Sequence, residues 1–256
     1  MSTDPTTVLN NIIEKIDKYA LSQTKPDDLT SQRMKNDAKS LIKINPSLAA
    51  MALGLIASVE GDVNECVKQH TLSLKLGKDP ILNINHAVSM KTLGHNAESF
   101  RLIDKAMNLL PDPAIAINIY LMIAINAGEY EKIQACEDML KAKGVTSFSP
   151  DIQQYFDDVN TIVIKAPLPF NIYPVIASIL ETINLNNNTG LTEYALEEMN
   201  GELYYWTLVK ADAETVTLMN AQLEDALSQL ENINLDEFHI AFKSKDISIR
   251  VNPDTN

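Results

Sequence analysis

Apolar residues in the first 145 positions recur three or four residues apart, the spacing of amphipathic helices, and do not alternate as they would in strands. One such set lies within residues 9–20 and a second within residues 34–42. Further apolar segments follow in pairs, and Gly61, Gly94 and Gly128 each separate the members of a pair. Because glycine readily adopts the left-handed conformation that closes a helix, we expect a tight helix–helix turn at each of these glycines.

The three glycines are spaced by 33 and 34 residues, which is the period of a helix–turn–helix repeat. Within this period, Leu53-Gly54 comes seven to eight residues before Gly61, and Ala106 and Pro111 follow Gly94 by twelve and seventeen residues. On these positions, residues of about 47–145 resemble three tetratricopeptide repeats. A helical bundle without internal repeats is the alternative.

The resemblance implies a helical solenoid in which the first helix of each repeat lines a concave groove. Residues 1–46 would then form a diverged repeat or a cap over the apolar end of the solenoid. The residues expected in the groove are Met51, Leu55, Ile84, Val88, Lys91, Asn118, Met122 and Ile125. This set is apolar apart from Lys91 and Asn118, which favours an apolar or amphipathic peptide as the guest. The alternative is that the C-terminal part of the chain, or a second copy of it, fills the groove.

The pattern changes after Gly144. Asn200-Gly201 is a strong signal for a two-residue β-hairpin, and the residues on either side, about 191–198 and 203–209, are its expected strands. A helix is expected from Asp212 onward, followed by two alternating segments, Phe238–Phe242 and Ile247–Val251, that are expected to be strands.

This third of the chain therefore predicts a small antiparallel sheet with helices on one face. Together with the helical repeats, the fold class is α-rich and α+β overall. We expect a tetratricopeptide-like helical domain over residues 1–146 and an acidic α+β domain over residues 147–256.

Charge is distributed unevenly along the 256 residues. The whole chain has a net charge of −13, of which residues 151–256, with 17 Asp/Glu and 5 Lys/Arg, carry −12. Such a chain has no basic excess with which to neutralise phosphates, so nucleic-acid binding is not expected. The acidity favours either a basic protein partner or a purely solubilising surface. The acidic residues expected to contact a partner are Glu197, Glu198 and Glu202 at the hairpin tip, and Asp236 and Glu237 before the next strand.

No apolar run approaches the roughly 18–20 residues of a membrane span, and the first residues lack the features of a signal peptide. We therefore expect a soluble, cytoplasmic protein that does not bind membranes. Two cysteines, Cys66 and Cys136, are too few for a disulfide scaffold and are expected to be small buried hydrophobic residues.

The common catalytic and nucleotide-binding motifs are absent from the sequence, so no cofactor and no metal site is predicted. His70 and His86 fall in repeat helices without ligand spacing, and His239 alternates with apolar residues, which predicts a surface position. The sequence thus favours a non-enzymatic interaction protein that binds another protein or peptide through the groove and the acidic domain. The alternatives are an antitoxin, immunity protein or secretion chaperone that neutralises a basic partner, and an enzyme of unfamiliar type in the C-terminal domain. Self-association is left open.

Overall fold

The computed structural model describes residues 5–145, 147–190, 192–230, 233, 235 and 238–245. These residues form α-helices, a short 3-10 helix at Pro113–Ala116 and one three-stranded sheet, which confirms the predicted α-rich α+β fold class. The helices are α1 (Pro5–Ser22), α2 (Asp28–Ser40), α3 (Pro46–Glu60), α4 (Val63–Leu76), α5 (Ile81–Thr92), α6 (Asn96–Leu109), α7 (Ile117–Asn126), α8 (Tyr130–Ala142), α9 (Pro150–Lys165), α10 (Tyr173–Asn186) and α11 (Ala213–Leu227). The strands are β1 (Glu193–Met199), β2 (Glu202–Val209) and β3 (Phe238–Ser244). None of the helices in the described ranges is long and apolar enough to cross a membrane.

The predicted turns at the three evenly spaced glycines are confirmed. Gly61, Gly94 and Gly128 all have positive φ, between 72° and 84°. At each one, the glycine N–H donates to the carbonyl three residues earlier, and the next N–H donates to the carbonyl five residues earlier. This double hydrogen bond is the Schellman cap, which satisfies carbonyls that the end of a helix would otherwise leave unpaired.

The same cap ends three further helices in the described ranges, at Gln23 after α1, Gly144 after α8 and Asn188 after α10. Gln23 and Asn188 adopt positive φ (49° and 54°) although they carry side chains. One type of helix ending therefore recurs from the first hairpin to the C-terminal half of the chain.

Successive helices pack as hairpins: α3 against α4, α5 against α6, and α7 against α8. Side-chain caps fix the helix starts, since the Asn45 side chain accepts a hydrogen bond from the Leu48 N–H and Asp62 accepts one from Glu65. Helices α1 and α2 pack on α3, where they cover the end of the array. The described part of the chain thus has a helical, repeat-like architecture through α8.

The sheet has the strand order β1-β2-β3. The predicted hairpin at Asn200-Gly201 is confirmed, because β1 and β2 pair antiparallel and both turn residues have positive φ. The prediction of a wholly antiparallel sheet is wrong, since β3 lies parallel to β2. Helix α11 connects these two strands and carries the chain back to the starting end of β2, as a parallel pairing requires. The second alternating segment, Ile247–Val251, lies outside the described residues.

One hydrophobic core joins the helical hairpins to the sheet. It extends without interruption from Ala57 on α3 to Phe242 on β3. The inner face of the sheet contributes Tyr205 and Phe238, whose rings lie 6.4 Å apart, and Tyr130 and Tyr173 on α8 and α10 pack in the same cluster with ring centres 4.7 Å apart. A smaller cluster lies between α1, α2 and α3. The sheet is therefore packed against the helical array and has no separate core in the described residues.

Both cysteines are buried and free, as predicted. Burial is the main reason that the pKa of the Cys66 thiol rises to about 12 and that of Cys136 to about 11. Neither thiol is therefore a thiolate near neutral pH, and both behave as small apolar side chains.

Helix α11 closes the outer edge of β3 through one side chain. The Asn220 Nδ2 donates to the Phe242 carbonyl at 3.0 Å, and the Phe242 N–H donates to Asn220 Oδ1 at 2.7 Å. An amide side chain thereby takes the place of a neighbouring strand, which protects an otherwise unpaired sheet edge.

We expect the substitution Asn220→Ala to lower the free energy of unfolding by about 1–3 kcal/mol, because it leaves a backbone donor and a backbone acceptor without partners. Urea denaturation measures this change. Asn118→Ala, at an exposed asparagine on α7, is the control and should change stability by no more than about 0.5 kcal/mol. Equal effects of the two substitutions would show that Asn220 does not hold the sheet edge.

Candidate protein-binding face

One face of the sheet is turned away from the main hydrophobic core, and α11 borders it along β3. Strand alternation and the pairing register place the same side of β1, β2 and β3 on this face, and along β2 its members are half-buried while the intervening residues are buried. We call it the outer sheet face. Its residues are Glu193, Ala195, Glu197 and Met199 on β1, Glu202, Tyr204, Trp206 and Leu208 on β2, and His239, Ala241 and Lys243 on β3.

Three aromatic rings form a row across the outer sheet face. Tyr204 stacks on His239 with ring centres 4.5 Å apart, and on Trp206 with ring centres 5.6 Å apart. Trp206 is the chain's only tryptophan. Partly exposed Trp and Tyr side chains are enriched where protein partners bind, because they bury a large area at a small cost in conformational entropy.

Two carboxylates hold this row in place. Glu202 accepts hydrogen bonds from the Tyr204 hydroxyl at 2.9 Å and from His239 Nε2 at 3.1 Å. Glu197 accepts one from Trp206 Nε1 at 2.8 Å and one from Lys243 Nζ at 3.3 Å. The bond to Glu202 is the main cause that raises the pKa of the Tyr204 phenol. The rings and carboxylates are thus pre-organised by bonds within the sheet.

Lys243 is an example of a cation that is bound on the outer sheet face. Its ammonium lies 4.8 Å from the centre of the Trp206 ring while it is also paired with Glu197. An aromatic face beside a carboxylate is a favourable environment for an ammonium or guanidinium group. Tyr204 and His239 beside Glu202 repeat the same combination of ring and carboxylate, and no lysine or arginine among the described residues pairs with Glu202.

The acidic residues that were expected to contact a partner do not all lie on the same side of the sheet. Glu197 and Glu202 lie together on the outer sheet face, with about 43% and 46% of their side chains exposed. Glu198 lies on the opposite side of β1, where it pairs with Lys165 at the end of α9 at 2.6 Å. Asp236 and Glu237 lie outside the described residues.

The aromatic members of the face were not predicted as site residues. The expectation that His239 is at the surface is confirmed, since its side chain is 40% exposed. Tyr204 and Trp206 were recognised only as strand formers. The signal that could have found them is the period of two along β2, which puts Glu202, Tyr204 and Trp206 on one side.

The prediction of an open groove is wrong for half of its residues. Met51, Leu55, Ile84 and Ile125 are at most 5% exposed and belong to the hydrophobic core. The first two pack in the cluster with α1 and α2, and the other two lie in the cluster that includes the sheet. The alternative that the C-terminal part of the chain fills the groove therefore fits Ile84 and Ile125, whereas Met51 and Leu55 are covered by the N-terminal helices α1 and α2.

The other four groove residues have different surroundings. Val88 is half-buried and Asn118 is exposed. Lys91 and Met122 line a cleft of about 560 Å³ that is bounded by α5, α7, α9 and β1. This cleft is what remains of the predicted groove.

Comparison with known proteins provides no relative from which a role could be carried over, since no protein-family model, curated protein or solved structure matches the chain. Within the described residues, no group of three or more His, Cys, Asp or Glu side chains could hold a metal ion. The function has to be inferred from the geometry of the outer sheet face.

Proposed function

We propose that this protein is a non-enzymatic interaction protein that binds a basic segment of a protein partner on its outer sheet face. The observation that carries the proposal is the row of Tyr204, Trp206 and His239 clamped by Glu197 and Glu202. In this proposal the helical hairpins, which resemble tetratricopeptide repeats, are the scaffold that supports the sheet.

Charge supports the choice of a basic partner. The outer sheet face lies in the part of the chain, residues 151–256, that has a net charge of −12. At physiological salt, charges still attract one another over about 8–10 Å, and this attraction raises the association rate of oppositely charged partners. At close range, an arginine or lysine of the partner would stack beside Tyr204 and His239 and pair with Glu202, as Lys243 does with Trp206 and Glu197.

The neutralising role, as an antitoxin, immunity protein or secretion chaperone, uses the same face and the same chemistry. It differs only in its consequence, because binding would then mask a toxic or aggregation-prone basic surface. The net charge of −12 favours this second candidate as much as the first.

The single tryptophan allows a direct test with a defined probe. We expect an eight-residue peptide of alternating Arg and Val to change the Trp206 emission saturably, and its affinity to fall as salt is raised from 50 to 200 mM, about the range in which exposed charges become screened. The double substitution Glu197→Gln, Glu202→Gln should weaken binding at least about tenfold, since it removes both carboxylates that would face the arginines.

The matched control is Glu131→Gln with Asp138→Asn, two exposed acids on α8 that change the net charge by the same amount. It should weaken binding less than about threefold, because screening leaves distant charges a small effect. Equal losses in the two double variants would mean that only the net charge matters. No saturable change in Trp206 emission would rule out the outer sheet face as a site for basic segments.

A further inference from the structure

Lys91 occupies an unusual position in the cleft between the helical hairpins and β1. It lies in the last turn of α5, only 6% exposed, in a chain where most charged side chains are at the surface. The cleft is about 560 Å³ and contains side chains from several elements, including Met122 on α7, Tyr155 on α9 and Tyr194 on β1. It is large enough for a small organic molecule.

None of the salt bridges between described residues includes Lys91, and Glu193 is the carboxylate that attracts its ammonium electrostatically. The carboxylates in the cleft are engaged elsewhere or exposed. Glu193 pairs with Lys245 at 2.6 Å, and Asp158 accepts a hydrogen bond from the Tyr194 hydroxyl at 2.7 Å. Asp151 is at the exposed start of α9.

A buried ammonium without a carboxylate partner is unfavourable as a charged group, and the neutral amine becomes easier to form. The pKa of Lys91 is lowered from 10.5 to about 8, by burial first, with Glu193 opposing the change and Lys245 adding to it. At pH 8 the neutral amine is therefore a much larger fraction of Lys91 than of a hydrated lysine. A fully hydrated lysine, which titrates near about 10.4, has well under about 1% of this form at the same pH.

We propose that Lys91 is a nucleophilic amine that forms an imine with a small aldehyde admitted to the cleft. Desolvated lysines in apolar pockets are the ones that proteins use for this chemistry. The cleft offers the apolar contacts of Met122 and Leu196 and the phenol rings of Tyr155 and Tyr194 to the rest of the ligand. This site is separate from the aromatic row of the outer sheet face, although Glu193 and Ala195 at the start of β1 border both the cleft and that face.

The step needs no co-reactant. The lone pair of the neutral Lys91 nitrogen attacks the carbonyl carbon, a carbon–nitrogen bond forms, and the electron pair of the carbonyl π bond moves to oxygen. A proton passes from nitrogen to that oxygen through water. After a second protonation the hydroxyl group leaves as water while the nitrogen lone pair forms the carbon–nitrogen π bond, and the resulting iminium returns its N–H proton to water. The products are one imine and one water molecule, with no net oxidation or reduction.

Reductive trapping tests the proposal on the intact protein. Propanal or benzaldehyde is added at pH 7.5 with sodium cyanoborohydride, which delivers hydride to the imine and converts it to a stable secondary amine. Peptide mass spectrometry then gives the labelling rate at each lysine. We expect Lys91 to be labelled at least about tenfold faster than Lys15 and Lys132, two exposed lysines without ion pairs in the described residues.

Two further observations separate a reactive site from general labelling. The trapping rate at Lys91 should rise with pH to a plateau above about pH 8, following the neutral amine. Met122→Trp, which narrows the cleft, should slow trapping at Lys91 and leave Lys132 unchanged. Labelling of Lys91 no faster than the exposed lysines, or a Lys91 rate that Met122→Trp does not alter, would overturn the proposal.

Discussion

Replacing Gly128 by alanine should lower the free energy of unfolding by about 2–5 kcal/mol. Two costs add, because the residue has φ of 72° and because a Cβ there would lie 2.4 Å from the carbonyl oxygen of Tyr173. A side chain in the left-handed region costs about 1–2 kcal/mol, and forcing a methyl group against packed atoms costs about 1–3 kcal/mol. Gly128 is where the turn between α7 and α8 meets the start of α10, so the substitution would push the C-terminal half away from the hairpins.

Gly144→Ala is the matched control. Gly144 has the same cap and a φ of 82°, but no atom of the described residues lies within 4 Å of the position its Cβ would take. The Gly144→Ala substitution should lower the free energy of unfolding only by the cost of a side chain at positive φ, about 1–2 kcal/mol. Urea denaturation of the two variants gives the difference, which measures the close approach of Gly128 to Tyr173. Equal losses would mean that the backbone of α10 does not lie against this turn.

The second large effect is a loss of stability in acid. His70 and His86 are buried, with stacked rings 4.7 Å apart, and three of their four ring nitrogens have no hydrogen-bond partner in the described residues. The fourth, His70 Nε2, lies 2.8 Å from Ser89 Oγ. Burial first, and then the neighbouring His86, lower the pKa of His70 to about 3. Burial also lowers the pKa of His86 to about 4, with Glu98 opposing the shift and Arg101 adding to it.

Below the ordinary histidine pKa of about 6.5, the unfolded chain takes up two protons that the folded protein excludes, so stability is lost as the pH falls below that value. At pH 5 the cost is about 2 kcal/mol for each imidazole, and about 4 kcal/mol for the pair relative to pH 7 or above. Unfolding by urea at a series of pH values from 7.5 to 4.5 measures this slope.

His86→Leu removes one of the two groups and should reduce the pH dependence between pH 6 and pH 5 by about 1.4 kcal/mol per pH unit. Ile84→Val, a core substitution on the same helix without a titrating group, should lower stability by a similar amount at every pH. If His86→Leu has the same pH profile as the unmodified protein, the imidazole is not held neutral in the core.

The local structure was largely predictable from the sequence. Glycine is the residue that best tolerates positive φ, so Gly61, Gly94 and Gly128 correctly predicted where three helices end. Asn188 forms the same cap, and asparagine is enriched at positive φ, so this helix end also has a sequence signal. Gln23 has none, because a glutamine adopts positive φ only where the surrounding packing compensates for the strain. The hairpin at Asn200-Gly201 was predictable because these two residues suit its turn.

The sequence was a weaker guide to which elements pack against one another. Alternation along β2 and β3 shows that one side of each strand is buried, but it does not give the direction of pairing or the element that covers the buried side. Ile125 was recognised as part of an apolar helical face, and the sheet residues beside it, Tyr205 and Phe238, come 80 or more residues later in the chain. For the same reason the pattern around Lys91 does not predict that this lysine is buried.

The helical hairpins and the sheet share one hydrophobic core and should therefore unfold as one unit. Urea unfolding tests it directly, because Trp206 fluorescence reports only on the sheet and far-UV ellipticity reports mainly on the helices. A shared core predicts that the two signals change with the same midpoint and the same dependence on urea. A Trp206 transition that is complete at a urea concentration where most of the ellipticity remains would contradict it.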